Sequence, residues 1–348
     1  MTGLRLILVG LGARSRTWRR VIARDPRLEV VGLVETSPAA LADAAAAYPA
    51  AATGATLAEV AALAPAEAVL LITPPGGRED QIAAACAHRL AILAEKPLAD
   101  SVGAAEAHVA AAAAVGVPLS VGLNFRYLPV TVALKQMWAS LGPPEFGRFL
   151  YERWRDGRQT HLNRYPLTMP QPMLWEQSIH HFDLMRHVYG AEPVRITART
   201  WNPSWSMYAG DANVAALITF EGGIEVTYQG TWAGARNELA FNWRTDCARG
   251  VAVQADMFGG LSWALRDDPA PTPVTLPPHE LWVDDAAALL EAFVAHLLHG
   301  APLPCPGTDH LKSLRMVEAC IRSAATGHAV DPGVPAAAPA AGIAVPTA

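Results

Sequence analysis

The sequence predicts an α/β fold in which a doubly wound parallel sheet is followed by an α+β domain with a large, open, mostly antiparallel sheet. Continuous apolar strands alternate with helices in the first third of the chain, as in parallel sheets covered on both faces. Period-two alternation of apolar and polar residues appears later. The composition changes near residue 120. One of the ten tryptophans precedes this point, and the other nine follow it. At 348 residues, the chain is expected to form two domains.

The first predicted domain comprises residues 1–123. Its strands are expected at 4–9, 28–34, 68–72, 90–93 and 118–122, where short apolar runs end at turn residues. Helices are expected between them, at about 17–24, 38–48, 57–64, 79–88 and 104–115. This order predicts a sheet whose strands are joined by helical crossovers.

The second predicted domain, residues 124–330, has a different pattern. Alternation predicts strands at 194–201, 215–220 and 224–231, and Glu221-Gly222-Gly223 predicts a hairpin between the last two. Helices are expected at 284–298 and 309–326, the latter capped by Gly327. Residues 331–348 are rich in proline and alanine and are expected to form a mobile tail.

Composition excludes several classes of function. Apolar residues make up 51% of the chain, yet no run of 18 uncharged apolar residues occurs, so no spanning helix is expected. The net charge of −5, without any block of lysine or arginine, argues against nucleic acid and anionic membrane surfaces as partners. Four scattered cysteines without a CxxC pair suit reduced thiols in a cytoplasmic protein. A small molecule is therefore the expected partner.

A glycine-rich turn follows the first predicted strand. It has the spacing GxGxxS, and its residues are predicted to bind a dinucleotide pyrophosphate at the start of the next helix: Gly10, Leu11, Gly12, Ala13, Arg14 and Ser15. Glu35 ends the second strand, where a carboxylate accepts hydrogen bonds from a ribose diol. Its charge would repel a 2′-phosphate, so NAD is predicted over NADP unless Arg14 compensates.

A lysine follows the fourth strand, in the segment Glu95-Lys96-Pro97. Ligands of open parallel sheets bind beyond the carboxyl ends of the strands, so Lys96 is expected in the same crevice as the nucleotide. Thr73 and Pro74 follow the neighbouring strand and are expected there too. An amine beside a nicotinamide cation has a lowered pKa, which would suit it to move a hydroxyl proton.

Two histidines and two carboxylates share one face of a predicted helix. At 100° per residue, Glu176, His180, Asp183 and His187 fall within an arc of about 60°. We call these four residues the acid/base column. Three interpretations stay open: a catalytic acid/base face, a metal site formed by His180, Asp183 and His187, and a hydrogen-bonded structural network.

The order of these motifs resembles the Gfo/Idh/MocA oxidoreductases. It comprises the glycine-rich turn, the acidic residue after the second strand, Thr-Pro, Glu-Lys-Pro, and (D/E)xxxHxxD with a histidine four residues on. The segment 121–127 resembles the crossing between the family's two domains. The resemblance implies a Rossmann domain and an α+β substrate domain.

The resemblance also implies roles for individual residues. Lys96, Asp183 and His187 would form the catalytic set, Glu95 and Lys96 would line the nicotinamide site, and the bond before Pro97 would be cis. The chain departs from the family where Arg78 stands near the place of a common histidine.

The sequence thus predicts a NAD(H)-dependent oxidoreductase, without a metal, that acts on a secondary hydroxyl or ketone of a sugar, inositol or polyol. Its open sheet predicts a homodimer or homotetramer. The division of labour among Lys96, His180 and His187 stays open. A NAD-dependent glycosidase of the same fold and a non-catalytic nucleotide sensor are the alternatives. A group of arginines before the acid/base column suggests either a solvated loop or contacts with an anionic substrate: Arg153, Arg155, Arg158 and Arg164.

Overall fold

The protein folds around two sheets. The structure, a computed structural model, describes residues 3–159 and 164–334. The first sheet is entirely parallel, with the strand order β3-β2-β1-β4-β5-β6. Its strands are β1 (Leu4–Val9), β2 (Leu28–Val34), β3 (Ala52–Gly54), β4 (Ala68–Leu71), β5 (Ala91–Ala94) and β6 (Leu119–Val121). This is the order of a dinucleotide-binding sheet, so β1 and β4 flank the point where the winding reverses.

Helices connect the strands of the first sheet. They are α1 (Ala13–Ile22), α2 (Pro38–Ala47), α3 (Leu57–Leu63), α4 (Glu79–Ala87) and α5 (Val102–Ala114). The central strands β1, β4 and β5 are buried on both faces, and β4 and β5 consist only of buried residues. This burial explains why they are continuous apolar runs rather than alternating ones.

The second sheet has eight strands, in the order β14-β13-β12-β11-β7-β10-β9-β8. They are β7 (Pro144–Glu152), β8 (Pro193–Trp201), β9 (Asn213–Phe220), β10 (Glu225–Thr231), β11 (Ala240–Cys247), β12 (Gly250–Asp256), β13 (Gly259–Leu265) and β14 (Thr272–Pro273). All of its pairs are antiparallel except β7 with β10. The predicted fold class is confirmed.

Five α-helices follow β6 within the described residues. They are α6 (Pro129–Gln136), α7 (Trp138–Leu141), α8 (Ile179–Tyr189), α9 (Asp284–His299) and α10 (Gly307–Thr326). Helix α10 packs on β8 and also contacts α5 and α8, so it ties the two sheets together. None of the helices in 3–159 and 164–334 is both long and apolar enough to cross a bilayer.

The structure adjusts several predicted elements. Helix α1 begins at Ala13, four residues before the predicted start, directly after the glycine-rich turn. The predicted hairpin at Glu221-Gly222-Gly223 joins β9 to β10, and Gly327 caps α10 with positive φ. Strand β7 and strands β11 to β13 were not predicted. The boundary at residue 123 stays a prediction, and most of the predicted tail, 335–348, lies outside the described residues.

Candidate active site

A cavity of about 650 Å³ lies where the carboxyl ends of the first sheet's strands meet the second half of the chain. Nine predicted cofactor residues line it, at least in part: Gly10, Gly12, Ala13, Arg14, Glu35, Thr73, Pro74, Glu95 and Lys96. His180 lines it as well. Residues that follow β6 in the chain complete the lining: Asn124, Phe125, Arg155, Tyr165, Glu176, Gln177, Trp232 and Trp282. The cavity therefore brings predicted cofactor residues together with side chains that follow β6 in the chain.

The glycine-rich turn is formed as predicted. Gly10 has a φ of +86°, and a Cβ there would lie 3.0 Å from backbone atoms of Ile72 and Thr73. A Cβ on Gly12 would meet no protein atom within 4 Å, so it would project into the space left for a ligand. Ser15 is fully buried, and its Oγ donates to the Gly12 carbonyl at 2.7 Å. The turn thus leaves room for a pyrophosphate at the start of α1.

Glu35 is held by backbone N–H groups. Its carboxylate accepts from Leu11 at 2.6 Å, from Thr36 at 2.8 Å and from Ser37 at 2.9 Å. Partial burial raises the pKa of Glu35, but these hydrogen bonds outweigh that effect and the pKa is lowered. The side chain of Leu11 is buried, and its contribution to the site is the backbone N–H that donates to Glu35. Glu35 is therefore an ionised acceptor fixed at the end of β2.

Arg14 does not face Glu35 as a compensating charge. Its Nε donates to Glu95 Oε1 at 2.6 Å, and Trp18 Nε1 donates to the same oxygen at 2.8 Å. Burial raises the pKa of Glu95, but the charge of Arg14 and these hydrogen bonds lower it overall. Glu95 lines the cavity as predicted, with its charge already neutralised by Arg14. This pairing leaves the charge of Glu35 uncompensated by Arg14.

Arg78, the departure from the family pattern, is fully buried behind the cavity. Its Nη1 donates to the carbonyls of Glu95 at 2.5 Å, Pro97 at 2.8 Å and Leu98 at 3.2 Å. Its Nη2 donates to the carbonyl of Thr73. Burial lowers the pKa of Arg78 to about 10. One guanidinium thus joins the loops after β4 and β5, and the second of these carries Lys96.

Lys96 points into the cavity. The Lys96–Pro97 peptide is cis, as the resemblance implied. Lys96 Nζ donates to the backbone carbonyl of Glu176 at 2.9 Å and lies 3.3 Å from Glu176 Oε2. An ammonium has three N–H donors, so one is left for a ligand. Glu176 Oε1 is buried and has no hydrogen-bond partner among the described residues.

His180 is the member of the acid/base column that reaches the cavity together with Glu176. Its ring stacks on Phe125, with centroids 4.2 Å apart and planes at 19°. Burial, and then the charge of Lys96, lower the pKa of His180 well below 6.5. Its Nδ1 is buried without a partner within the described chain. His180 is therefore a neutral imidazole with an unused ring nitrogen.

Asp183 and His187 lie further along α8, away from the cavity lining. The Asp183 carboxylate accepts from Arg126 Nε at 2.8 Å and from Ser313 Oγ at 3.3 Å, and Arg126 also pairs with Asp309. Burial, together with the charge of Arg126, lowers the pKa of His187 to about 4. The structure thus does not bring the resemblance-implied set of Lys96, Asp183 and His187 together, because the column runs along the helix and only its first two members reach the cavity.

A metal site would need His180, Asp183 and His187 to converge on one point. His180 lines the cavity, whereas Asp183 contacts Arg126 and Ser313 and His187 is not part of the cavity lining. Within 3–159 and 164–334, no three His, Cys, Asp or Glu side chains form a group that could hold a metal ion. A π-helical turn, Leu174–Ser178, precedes α8 and presents Glu176. Sequence reasoning included Glu176 in the column but did not list it among the individual catalytic residues. The signal was present in its four-residue spacing from His180.

Two family models match the chain. "Oxidoreductase family, NAD-binding Rossmann fold" matches residues 4–123, and "GFO/IDH/MocA C-terminal domain" matches residues 132–253. A D-apiose dehydrogenase from Rhizobium rhizogenes is 26% identical over 72% of this chain and 74% of that relative.

Solved structures share the fold. An oxidoreductase from Agrobacterium radiobacter, in complex with NAD+, L-tartaric acid and magnesium, is 20% identical, with a TM-score of 0.86, over 95% of this chain and 99% of that one. An inositol dehydrogenase homolog from Azotobacter vinelandii, complexed with NADH and myo-inositol, is 18% identical, with a TM-score of 0.80, over 95% of this chain and 98% of that one. Because both of its parts match one family and its cavity has the geometry of a dinucleotide site, the chain belongs to the Gfo/Idh/MocA family of NAD-dependent oxidoreductases.

Proposed function

We propose that this enzyme oxidises a secondary hydroxyl of a sugar, inositol or related polyhydroxy compound, or reduces the corresponding ketone. The observation that carries the proposal is the meeting of Lys96, Glu176 and His180 in the cavity that the glycine-rich turn and Glu35 also line. The names of the relatives support this substrate class, since they include a D-apiose dehydrogenase and a homolog complexed with myo-inositol. The three residues replace Asp183 and His187 as the proposed acid/base set.

Bound NAD would supply the hydride acceptor, its nicotinamide C4. The protein must then remove the hydroxyl proton, and the neutral imidazole of His180 is suited to accept it because the ring lines the cavity in its unprotonated form. Lys96 donates its remaining N–H to the substrate oxygen and stabilises the negative charge that develops there. Glu176 fixes Lys96 through its carbonyl and its carboxylate.

The aromatic wall beside His180 keeps the imidazole neutral. Phe125 stacks on one face of the ring, and Trp282 lies 5.4 Å from Phe125 between ring centroids. These rings exclude water from one side of His180, and desolvation disfavours the imidazolium form. His180 is therefore unprotonated at neutral pH, which is the form that a general base must have.

The ion network beyond the cavity positions this wall. Asn124 donates to the buried Asp285 and Arg126 pairs with Asp183, so the residues on both sides of Phe125 are anchored. Asp183 thereby links α8 to the segment that carries Phe125. We assign Asp183 a positioning role, because its carboxylate oxygens bond Arg126 and Ser313.

A substrate panel tests the proposed function against its alternatives. Purified protein is incubated with NAD and polyols, sugars or aryl glycosides, while NADH and released aglycone are measured by absorbance. Net NADH formation supports the oxidoreductase. Aglycone release without net NADH formation indicates the glycosidase, and nucleotide binding without either product indicates the sensor.

Replacing Lys96 with Met tests the mechanism within the same panel. It keeps the bulk of the stem and removes the ammonium, so turnover should fall by about 10² to 10⁴ fold while NADH binding survives. Lys312→Met is the matched control, because Lys312 is half exposed and pairs with Glu192 on the surface. Turnover of Lys96→Met within a few fold of the parent enzyme would contradict the assigned role.

We also propose that the open face of the second sheet joins copies of this chain. Phe146 on β7 and Leu217 on β9 are 55% and 48% exposed, whereas the opposite face carries α10. Exposed apolar residues on a sheet favour association. Light scattering should give the mass of a dimer or tetramer at micromolar concentration, and the mass of one chain would contradict the proposal. Leu217→Arg should shift the equilibrium towards the monomer.

A further inference from the structure

An arginine lines the cavity at the end opposite the nucleotide residues, and its main chain is fixed by hydrogen bonds. Arg155 follows β7 and lines the cavity. Its N–H donates to the Trp232 carbonyl at 2.9 Å, and its carbonyl accepts from Tyr208 Oη at 2.7 Å. Hydrogen bonds on both sides of the residue set the point from which the side chain extends.

The Trp232 ring holds the guanidinium of Arg155. Arg155 Cζ lies 4.4 Å from the centroid of this ring, a cation–π distance. Trp232 is only 3% exposed, so the ring is a rigid support. The charges of Glu176 and Arg155 both act on the hydroxyl of Tyr165, whose pKa is raised mainly by burial. Arg155 thus lies in the neighbourhood of the proposed acid/base set.

Arg155 lacks a counter-ion in the part of the chain that the structure describes. Its Nη1 is shielded from solvent and has no hydrogen-bond partner there, and no described carboxylate oxygen lies within 4.0 Å of its nitrogens. The remaining residues, 1–2, 160–163 and 335–348, include no aspartate or glutamate. The other two basic side chains of the cavity are paired, Arg14 with Glu95 and Lys96 with Glu176.

We propose that Arg155 binds a carboxylate of the substrate, so that the enzyme acts on sugar acids in preference to neutral sugars and polyols. This inference rests on the proposed function and names its substrate class. The substrate would place its carboxylate on the guanidinium beside Trp232 and its reacting hydroxyl at Lys96 and His180.

The chemistry of the site favours a carboxylate over other groups. A guanidinium that has a solvent-shielded nitrogen without a partner and no counter-ion is unfavourable, and a hydroxyl would satisfy one N–H without neutralising the charge. A carboxylate does both, because its two oxygens match the planar fork of arginine. A phosphate ester would bring close to two negative charges, and one guanidinium offsets only one of them.

Matched substrate pairs test this inference. The parent enzyme is assayed with NAD and D-galacturonate against D-galactose, D-gluconate against D-glucitol, and D-erythronate against erythritol. D-Glucose 6-phosphate against D-glucose forms the phosphate arm. Binding of the same compounds to the NADH-bound protein is measured by titration calorimetry, which does not depend on turnover. We expect kcat/KM and affinity to favour at least one acid over its neutral partner by tenfold or more.

Two variants assign the preference to Arg155. Arg155→Gln should bring the ratio of acid to neutral compound close to one, and Arg155→Lys should keep part of it, because the charge remains but the planar fork is lost. Arg158→Gln is the control, because Arg158 is 61% exposed and pairs with Asp156, and its ratio should match the parent's. NADH binding and thermal unfolding check that each variant is folded.

The outcomes separate this inference from the proposed function. Equal or better use and binding of the neutral compounds by the parent enzyme would overturn the inference and leave the oxidoreductase proposal standing. So would a preference for the phosphate, or an acid preference that survives Arg155→Gln. Acids that bind through Arg155 without being oxidised would support the anion site and contradict the proposed reaction on these compounds.

Discussion

The two ends of the cavity differ in how their polar groups are satisfied. At the nucleotide end, Glu35 accepts three backbone N–H groups and Arg14 is paired with Glu95. At the substrate end, buried polar atoms lack protein partners within the described residues: Glu176 Oε1, His180 Nδ1 and Arg155 Nη1. The first end is internally paired before a ligand arrives, whereas the second keeps polar atoms in its walls that have no protein partner among the described residues.

This difference connects structure with specificity. A nucleotide end with internal hydrogen bonds suits a cofactor that is common to many enzymes of one family. Unpartnered polar atoms in a cavity discriminate among substrates, because a compound that fails to satisfy them leaves a buried group without a hydrogen bond. Changes at the substrate end should therefore affect turnover most, and changes at the nucleotide end should affect stability or cofactor choice.

The largest expected effect separates two histidines of the acid/base column. His180→Ala removes the proposed proton acceptor, so turnover should fall by about 10² to 10⁴ fold. His187→Ala should stay within a few fold of the parent, because His187 does not line the cavity. Steady-state kinetics at saturating substrate measures both. A large loss for His187→Ala with a small one for His180→Ala would return the chemistry to the resemblance-implied set.

The next effect concerns the stability of the nucleotide end. Arg78→Met would leave carbonyls of Thr73, Glu95, Pro97 and Leu98 without their donor in a buried place. The free energy of unfolding should fall by about 2–4 kcal/mol. Urea denaturation measures this loss, with Arg266→Met as the control. Arg266 is exposed and donates to the Ala248 carbonyl, so its loss should cost about 0.5 kcal/mol or less.

Sequence reasoning succeeded where the site depends on local order. Gly10, Gly12 and Glu35 follow successive strands of a parallel sheet, and the topology of such a sheet brings the ends of its strands together. Helical spacing also placed Glu176 and His180 on one face correctly. Periodicity and turn chemistry were sufficient to predict these features from the sequence.

It could not foresee contacts between distant segments, on which the role of a side chain also depends. Asp183 has the helical position of a catalytic carboxylate, but Arg126, 57 residues earlier, and Ser313, 130 residues later, use its oxygens. Strand β7 was not predicted. It pairs with β10 and β11, which come much later in the chain, so no neighbouring strand in the sequence signals its pairing. That no described carboxylate pairs with Arg155 likewise depends on which side chains surround it, and a single sequence does not show this.

A smaller effect is expected for cofactor choice. The parent should bind NADH more tightly than NADPH by at least a few fold, because the ionised Glu35 repels a 2′-phosphate and Arg14 is already paired. Glu35→Ser should narrow or reverse this gap. Fluorescence titration measures both affinities, with Glu29→Ser, an exposed position on the same strand, as the control. Identical affinities of the parent for the two dinucleotides would contradict the role of Glu35.

The smallest expected effect is the response of kcat/KM to mild acid. An imidazole with an ordinary pKa would be half protonated at pH 6.5 and would lose half of its capacity as a base there. Burial and the charge of Lys96 lower the pKa of His180 well below 6.5, so its neutral form persists as the pH falls through this value. For a group that must be deprotonated to act, a lowered pKa moves the acidic limb of the profile to lower pH.

From about pH 8 to pH 6.5, kcat/KM for alcohol oxidation should therefore change by less than about twofold through this group, and it should decline only at lower pH. The quantity to measure is kcat/KM, because it reports the ionisation of the free enzyme, and ionic strength should be held constant. Phe125→Ala is the informative variant. Opening the stacked face of His180 to water should raise the pKa of the imidazole and move the acidic limb upwards. A parent profile that already has its midpoint near pH 6.5 would show that His180 is not the base, or that the aromatic wall does not control its ionisation.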